Sequence, residues 1–269
     1  MPEASSARRS AALSAKEIAA RRAIIEACRQ MNALGINQGT SGNISLRFGD
    51  FMLITPTALA YEKMKPADLC RMPIEGEYGS FDGALIPSTE WRFHLDILRA
   101  RPDVGAVVHC HSTYATALAI CHHEIPAIHY MIAAAGGPTV RVAEYATYGT
   151  KELSDHALKA LEGRTCCLLG NHGQIATGPT LERALWLAVE LETLAKQYTL
   201  TKLIAGAHIL PDDEIARVVE KFKIYGPQER ETVAATAPSP GSKGAVAIVR
   251  ANRRRIRAAA TPKRPRRRR

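Results

Sequence analysis

Apolar positions in the first third of the chain change their period twice. Ile18, Ile25, Cys28 and Met31 recur at roughly helical spacing, behind an S-x-x-E capping pattern at Ser14 and Glu17 and ahead of a stop at Gly35. The stretches 44–46 and 51–54 flank Gly49-Asp50, the signature of a hairpin. Two further short strands are expected around the glycine-rich stretch 75–83. Ser88 then opens a second helix, which runs to about Ala100 and is stopped by Pro102.

From 104 to 110 the chain is apolar and β-branched, which predicts a buried strand, and 113–121 reads as helix. A helix over 150–161 has Thr150 or Ser154 available as its N-cap. Short strands at 165–169 and 174–177 surround a tight turn at 170–173. Thr180 caps a long amphipathic helix reaching about Ile204, and Asp212 or Asp213 starts another that ends near Tyr225. Hairpins, crossovers and flanking helices in this order predict an α/β fold, one domain around a single sheet over 14–228.

Composition changes this picture at the two ends. Hydrophobic residues make up 46% and charged residues 23% of the 269, ordinary globular values that exclude a fibre or a wholly disordered chain. No apolar run approaches the ~18 residues of a membrane span, so no membrane partner is expected. Residues 1–13 lack the apolar core of a secretory signal and are expected to be disordered. The net charge of +10 is uneven: positions 238–269 hold 12 of the 36 Lys and Arg and no acid, leaving 24 bases against 26 acids elsewhere. The near-neutral body therefore precedes a disordered basic tail over 229–269, whose charge would attract nucleic acid only without sequence preference. Six cysteines form no C-x-x-C pair, which fits reduced thiols in the cytoplasm.

Candidate chemistry gathers at a few positions. His109-Cys110-His111 closes the apolar strand, and strand alternation puts both imidazoles on one face. Such a pair suits a divalent transition metal such as zinc, although H-x-H also arises where one ring simply packs. His172, between Asn171 and Gly173 on the tight turn, is a third candidate ligand or a satisfied turn residue. Glu90, at the mouth of the second helix, gains ~0.3–1 kcal/mol from the helix N-terminus. It reads either as a first-turn acid or as a general base beside a metal. Three hydroxyl-rich turns, 39–43, 55–57 and 88–89, each sit at a strand end or helix start, as a phosphate cradle requires.

The ordered blocks NQGTSGNIS, LITPTALAYEKM, IPSTEWRFH, VVHCHS, IPAIHYMIAAAGG, YATYGTKELS and LLGNHG resemble class II aldolases of the aldolase/adducin type, nearest to the bacterial L-fuculose-1-phosphate aldolases, over about 21–226. The resemblance implies a three-layer α/β/α sandwich around a mostly antiparallel sheet, assembled as a homotetramer with shared active sites. It implies one zinc ion per subunit on His109, His111 and His172, with Glu90 as a fourth ligand that becomes the acid/base residue once substrate displaces it. Thr40, Asn43, Thr57, Ala58, Ser88 and Thr89 would line a phosphate pocket. Tyr130, coming from a neighbouring subunit, would protonate the aldehyde oxygen, and Tyr225 would also approach a neighbour's site.

The implied reaction is reversible cleavage of a phosphorylated sugar, a ketose 1-phosphate. L-fuculose 1-phosphate would give dihydroxyacetone phosphate and L-lactaldehyde. Breaking the 3–4 carbon bond needs an electron sink at C2, which zinc supplies as a Lewis acid. No motif singles out a lysine for the Schiff-base alternative. Ribulose-phosphate 4-epimerase and sugar-acid phosphate decarboxylase are alternative reactions in the superfamily, and the Tyr130 block with KFKIYG favours the aldolase. A non-catalytic adducin-like scaffold with an anion-binding tail is the competing class, against which the three His, Glu90 and Tyr130 argue. One position departs from the family pattern: Ala58 stands where glycine is usual. If that loop needs positive φ, alanine costs roughly 1–2 kcal/mol, which is expected to weaken phosphate binding.

Overall fold

The computed structural model describes residues 13–222; the first twelve residues and 223–269, with Tyr225 and the expected disordered tail, lie outside the described residues. Helix α1 (Ala15–Ala33) begins where Ser14 accepts from the Glu17 N–H at 3.1 Å. The Glu17 carboxylate does not complete a capping box. It is buried and accepts from Arg21 at 2.7 Å instead.

The chain then forms β1 (Asn43–Phe48), β2 (Phe51–Ile54), β3 (Cys70–Pro73), α2 (Trp91–Ala100), β4 (Ala106–Cys110) and α3 (Thr113–Ile120). After a 3-10 turn at Tyr130–Ala135 come β5 (Val142–Ala143), α4 (Lys151–Ala160), β6 (Cys166–Leu169), β7 (Gly173–Gly178), α5 (Leu181–Ile204) and α6 (Asp212–Phe222). The strands form one seven-stranded sheet in the order β3-β2-β1-β4-β7-β6-β5. Only the β5–β6 pair is parallel.

Alternation along the strands splits the core in two. Ala106, Val108 and Cys110 of β4, with Cys166 and Leu168 of β6, pack in the layer of α1, α3, α5 and α6. Val107 of β4, with Cys167 and Leu169 of β6, faces the layer of α2 and α4. Each fully buried Leu, Ile or Phe contributes about 1.5–3 kcal/mol to these layers. The expected three-layer α/β/α sandwich is therefore the observed one. The same alternation points the neighbouring thiols of Cys166 and Cys167 to opposite faces, and all six cysteines are free.

One strand expectation differs from the structure, and one strand was not anticipated. Around 75–83 only β3 forms; past the turn, Asp82 pairs back to Arg71 as an isolated bridge. Gly76 and Gly79, at φ +105° and +85°, bend the segment out of the extended region. The edge strand β5 has two residues, too few to leave a periodic trace. Among the described residues no helix is long and apolar enough to cross a membrane.

Candidate active site

Antiparallel pairing gathers the chemistry at one end of the sheet. β1 runs antiparallel to β2 and β4, and β7 runs antiparallel to β4 and β6. The start of β1, the ends of β2 and β4, and the β6–β7 turn therefore meet. The entry to α2 is tied to the same end: Ser88 N–H donates to the Thr55 carbonyl at 2.9 Å and Thr57 N–H to that of Ile86 at 3.0 Å.

His109, His111 and His172 converge there, with ligand atoms all within 4.8 Å of one another. His109 Nε2 lies 3.1 Å from His111 Nε2 and 3.2 Å from Glu90 Oε2. Glu90 Oε1 lies 3.1 Å from His172 Nε2. His109 Nδ1 faces the Gln174 carbonyl at 2.9 Å, so Nδ1 carries a proton and Nε2 points into the cluster.

The donor set fits a divalent transition ion. Two imidazole nitrogens with lone pairs directed at one point repel unless a cation or proton lies between them. Glu90 Oε1 is a buried carboxylate oxygen that makes no aligned hydrogen bond, although His172 Nε2 lies 3.1 Å away. Burial raises the Glu90 pKa, but His109 and His172 outweigh it and hold the carboxyl well below the usual carboxylate range. Burial, together with His109 and His172, pushes His111 down to about 4, leaving its imidazole neutral and able to ligate.

Glu90 is the N-cap residue of α2, yet its side chain makes no capping bond. The carboxylate turns into the histidine cluster instead. Ser88, expected to open the helix, sits two positions earlier; its hydroxyl accepts from the Glu90 N–H at 3.3 Å and its carbonyl from the Trp91 N–H at 3.0 Å. Gly173 lets the turn close on β4: a Cβ there would stand 2.7 Å from the Cys110 carbonyl oxygen and 2.8 Å from the His111 ring.

The phosphate-pocket candidates fall on the three turns at this same end. Thr40, Thr57, Ala58 and Thr89 are exposed, while Asn43 and Ser88 are buried. Ala58 has φ +54°, the left-handed conformation that favours glycine. Asn43 is already engaged: its Nδ2 donates to Glu90 Oε2 at 2.9 Å and its Oδ1 faces His94 Nε2 at 2.5 Å. The structure does not bring Tyr130 into the cluster of its own chain. Its ring is 51% exposed and packs on His129 at 4.6 Å. Tyr225 lies outside the described residues.

Several supporting residues escaped the sequence reading. Tyr61 donates to the Gly42 carbonyl at 2.6 Å and steadies the turn before β1. His94, one helical turn after Glu90, is fully buried beside the site. The spacing of Glu90 and His94 in STEWRFH was the signal for it, since residues four apart share a helix face.

Comparison with known proteins places the chain in a family. Residues 22–199 match the family described as Class II Aldolase and Adducin N-terminal domain. The chain is 54% identical over 209 residues to a 5-methylthioribulose-1-phosphate/5-deoxyribulose-1-phosphate aldolase of Rhodospirillum rubrum, covering 78% of this chain and 93% of that one. It is 50% identical over 206 residues to an L-fuculose phosphate aldolase of Escherichia coli, covering 76% and 94%. A solved structure of an L-fuculose 1-phosphate aldolase matches with a TM-score of 0.74 at 40% identity, over 78% of this chain and 98% of that one. The chain belongs to the class II aldolase and adducin family.

Proposed function

We propose that the protein is a zinc-dependent aldolase that reversibly cleaves a ketose 1-phosphate to dihydroxyacetone phosphate and a short aldehyde. The observation that carries this reading is the Glu90 carboxylate lodged among three converging imidazoles, with Oε2 3.2 Å from His109 Nε2 and Oε1 3.1 Å from His172 Nε2. His109, His111 and His172 would hold the ion, with Glu90 beside it. A divalent ion there supplies Lewis-acid polarisation of the ketose carbonyl.

The residues of the chain divide the remaining work. In the condensation direction Glu90 takes a proton from the hydroxymethyl carbon of dihydroxyacetone phosphate. Thr40, Thr57, Ser88, Thr89 and the second amide hydrogen of Asn43 bind the phosphate, helped by the backbone around Ala58. Tyr130 of an adjacent copy protonates the alkoxide formed from the aldehyde. Exposure of its ring on its own chain supports a shared site in a homotetramer. Mixing Tyr130→Phe and His172→Ala protomers tests this: recovered activity in the hetero-oligomers is expected, and none would refute sharing. A body with free, largely buried thiols is in keeping with the cytoplasm.

For the sugar, the relatives point to one chemical class. L-fuculose 1-phosphate, 5-deoxyribulose 1-phosphate and 5-methylthioribulose 1-phosphate share the dihydroxyacetone phosphate half. They differ only in an aldehyde without a second phosphate. L-fuculose 1-phosphate is our first choice, and the 54% identity to the Rhodospirillum rubrum enzyme favours the 5-deoxy pentuloses as the second. The deciding experiment incubates zinc-loaded protein with dihydroxyacetone phosphate and L-lactaldehyde, acetaldehyde or methylthioacetaldehyde. The products are then identified and kcat/KM compared. No consumption of dihydroxyacetone phosphate with any aldehyde would reject the aldolase in favour of an epimerase, a decarboxylase or a scaffold.

A further inference from the structure

We propose that His94 and Ser45 are positioning residues for the Glu90 carboxylate, acting through the side-chain amide of Asn43; this rests on the reading of Glu90 as the base. Four buried side chains form one hydrogen-bonded line. Ser45 Oγ lies 2.8 Å from His94 Nδ1, and His94 Nε2 lies 2.5 Å from Asn43 Oδ1. Asn43 Nδ2 then donates to Glu90 Oε2 at 2.9 Å. The line uses only local regularities. Asn43 and Ser45 are two apart on β1 and share a face, while Glu90 and His94 are one turn apart at the start of α2. Phe93 stacks on the His94 ring at 4.6 Å and fixes its plane.

The line has one internally consistent direction. Burial, with His109 close by, holds His94 down near 3, so its ring is neutral and carries one proton and one lone pair. If Ser45 donates to Nδ1, then Nε2–H donates to Asn43 Oδ1 and the Asn43 amide donates to the carboxylate. Every link then has one donor and one acceptor. In the reverse direction Nδ1–H would donate to Ser45 and the Asn43 amide would donate to Nε2. Asn43 Oδ1 would then face the negative carboxylate with no proton between them. A buried charge favours the first arrangement, because an unmade bond to it forfeits the full desolvation cost.

The consequence is a division of labour between the carboxylate oxygens. Oε2 is held by Asn43, which fixes the carboxylate plane. Oε1 faces His172 Nε2 at 3.1 Å but has no aligned donor, and it is the oxygen left to take the substrate proton. His94 acts at a distance: it keeps the Asn43 amide from turning over. A ring present only to fill the core would have no such effect.

Three variants test this in the intact metal-loaded protein. His94→Phe keeps the stacking and removes the donor. His94→Gln returns an N–H near the position of Nε2. Ser45→Ala removes only the far link. The first readout is deuterium exchange into dihydroxyacetone phosphate without aldehyde, which reports proton abstraction alone. The second is the visible spectrum of the cobalt-loaded, substrate-free protein, which reports how Glu90 sits against the ion.

His94→Phe is expected to lower exchange and kcat by about 10–100-fold, the usual effect of losing a supporting partner. The KM for dihydroxyacetone phosphate should stay within about twofold while the cobalt bands shift. His94→Gln should recover most of the loss, and Ser45→Ala should fall between. Unchanged exchange and unchanged bands in a folded His94→Phe would overturn the proposal, as would a loss that Gln fails to rescue. If His94→Phe does not fold, Ser45→Ala decides, and wild-type behaviour there overturns it. Absence of exchange in the wild-type protein would instead refute the aldolase reading, and the cobalt bands of the variants would still judge the positioning.

Discussion

Replacing Ala58 with glycine should stabilise the protein and leave its affinity for the phosphorylated ketose unchanged. The exposed Ala58 adopts φ +54°. Holding an L-residue with a Cβ in that region costs roughly 1–2 kcal/mol. Glycine removes that cost but gives the unfolded chain more freedom, worth about 0.4–1 kcal/mol in the opposite sense. An exposed methyl group contributes little packing, so the balance is about 0.5–1 kcal/mol in favour of Ala58→Gly. For a domain of 150–250 residues that is a rise in Tm of about 1–4 °C.

The location of the strain decides the second half of the prediction. The left-handed conformation is present without any ligand, so it weighs equally on the free and the bound protein. A penalty that the family pattern would assign to phosphate binding is thereby moved onto folding. Thermal melts at fixed protein concentration, paired with KM measured on the ketose phosphate, separate the two. An unchanged Tm with a KM lowered several-fold would refute the reasoning. It would mean that the free loop escapes φ +54° and is driven back only on binding.

The other predictions concern the cluster and its support. His109→Ala should lose both metal and activity, whereas Glu90→Gln should keep most of its metal and lose about 10²–10⁴-fold in turnover; metal analysis beside kcat checks both. Gly173→Ala should destabilise the fold by about 1–3 kcal/mol and weaken metal binding, because the new Cβ would lie 2.8 Å from the His111 ring. Chelator competition reads that loss, and unchanged metal affinity would refute the contact argument. Stability should fall on acidification, because His94 is held near 3 by burial and its neighbour His109 while an unfolded histidine titrates near 6.5. The contribution is complete above about pH 6.5. It declines toward pH 3 by at most about 1.4 kcal/mol per unit, and His94→Gln should show a shallower slope in denaturant titrations at pH 5, 6 and 7.

What was legible in the chain and what was not follows the range of the interactions. Thr150 and Thr180 cap their helices as read, because each hydroxyl accepts from an N–H three residues on. The His109 and His111 pair was legible because alternation along one strand is local. Ser112 shows where this reading ends. It is the N-cap of α3 but makes no capping bond, since its hydroxyl accepts from Gln174 at 2.6 Å. The α3 N-terminus is instead served by Glu192 of α5, which accepts from Tyr114 N–H and Ala115 N–H at 2.9 Å each. Nothing near Ser112 in the chain announces a carboxylate so far away. The same holds for Glu90. Its position before α2 leaves a first-turn acid and a general base equally open, and the pairing of Asn43 with His109 across β1 and β4 is what sets an amide donor against its carboxylate. His94 was harder still: in an apolar helix face a buried ring looks like packing until Ser45 and Asn43 are set opposite it. Ligands that lie one alternation apart are visible in a sequence; the groups that aim them are chosen by sheet register, and register is a property of the folded sheet.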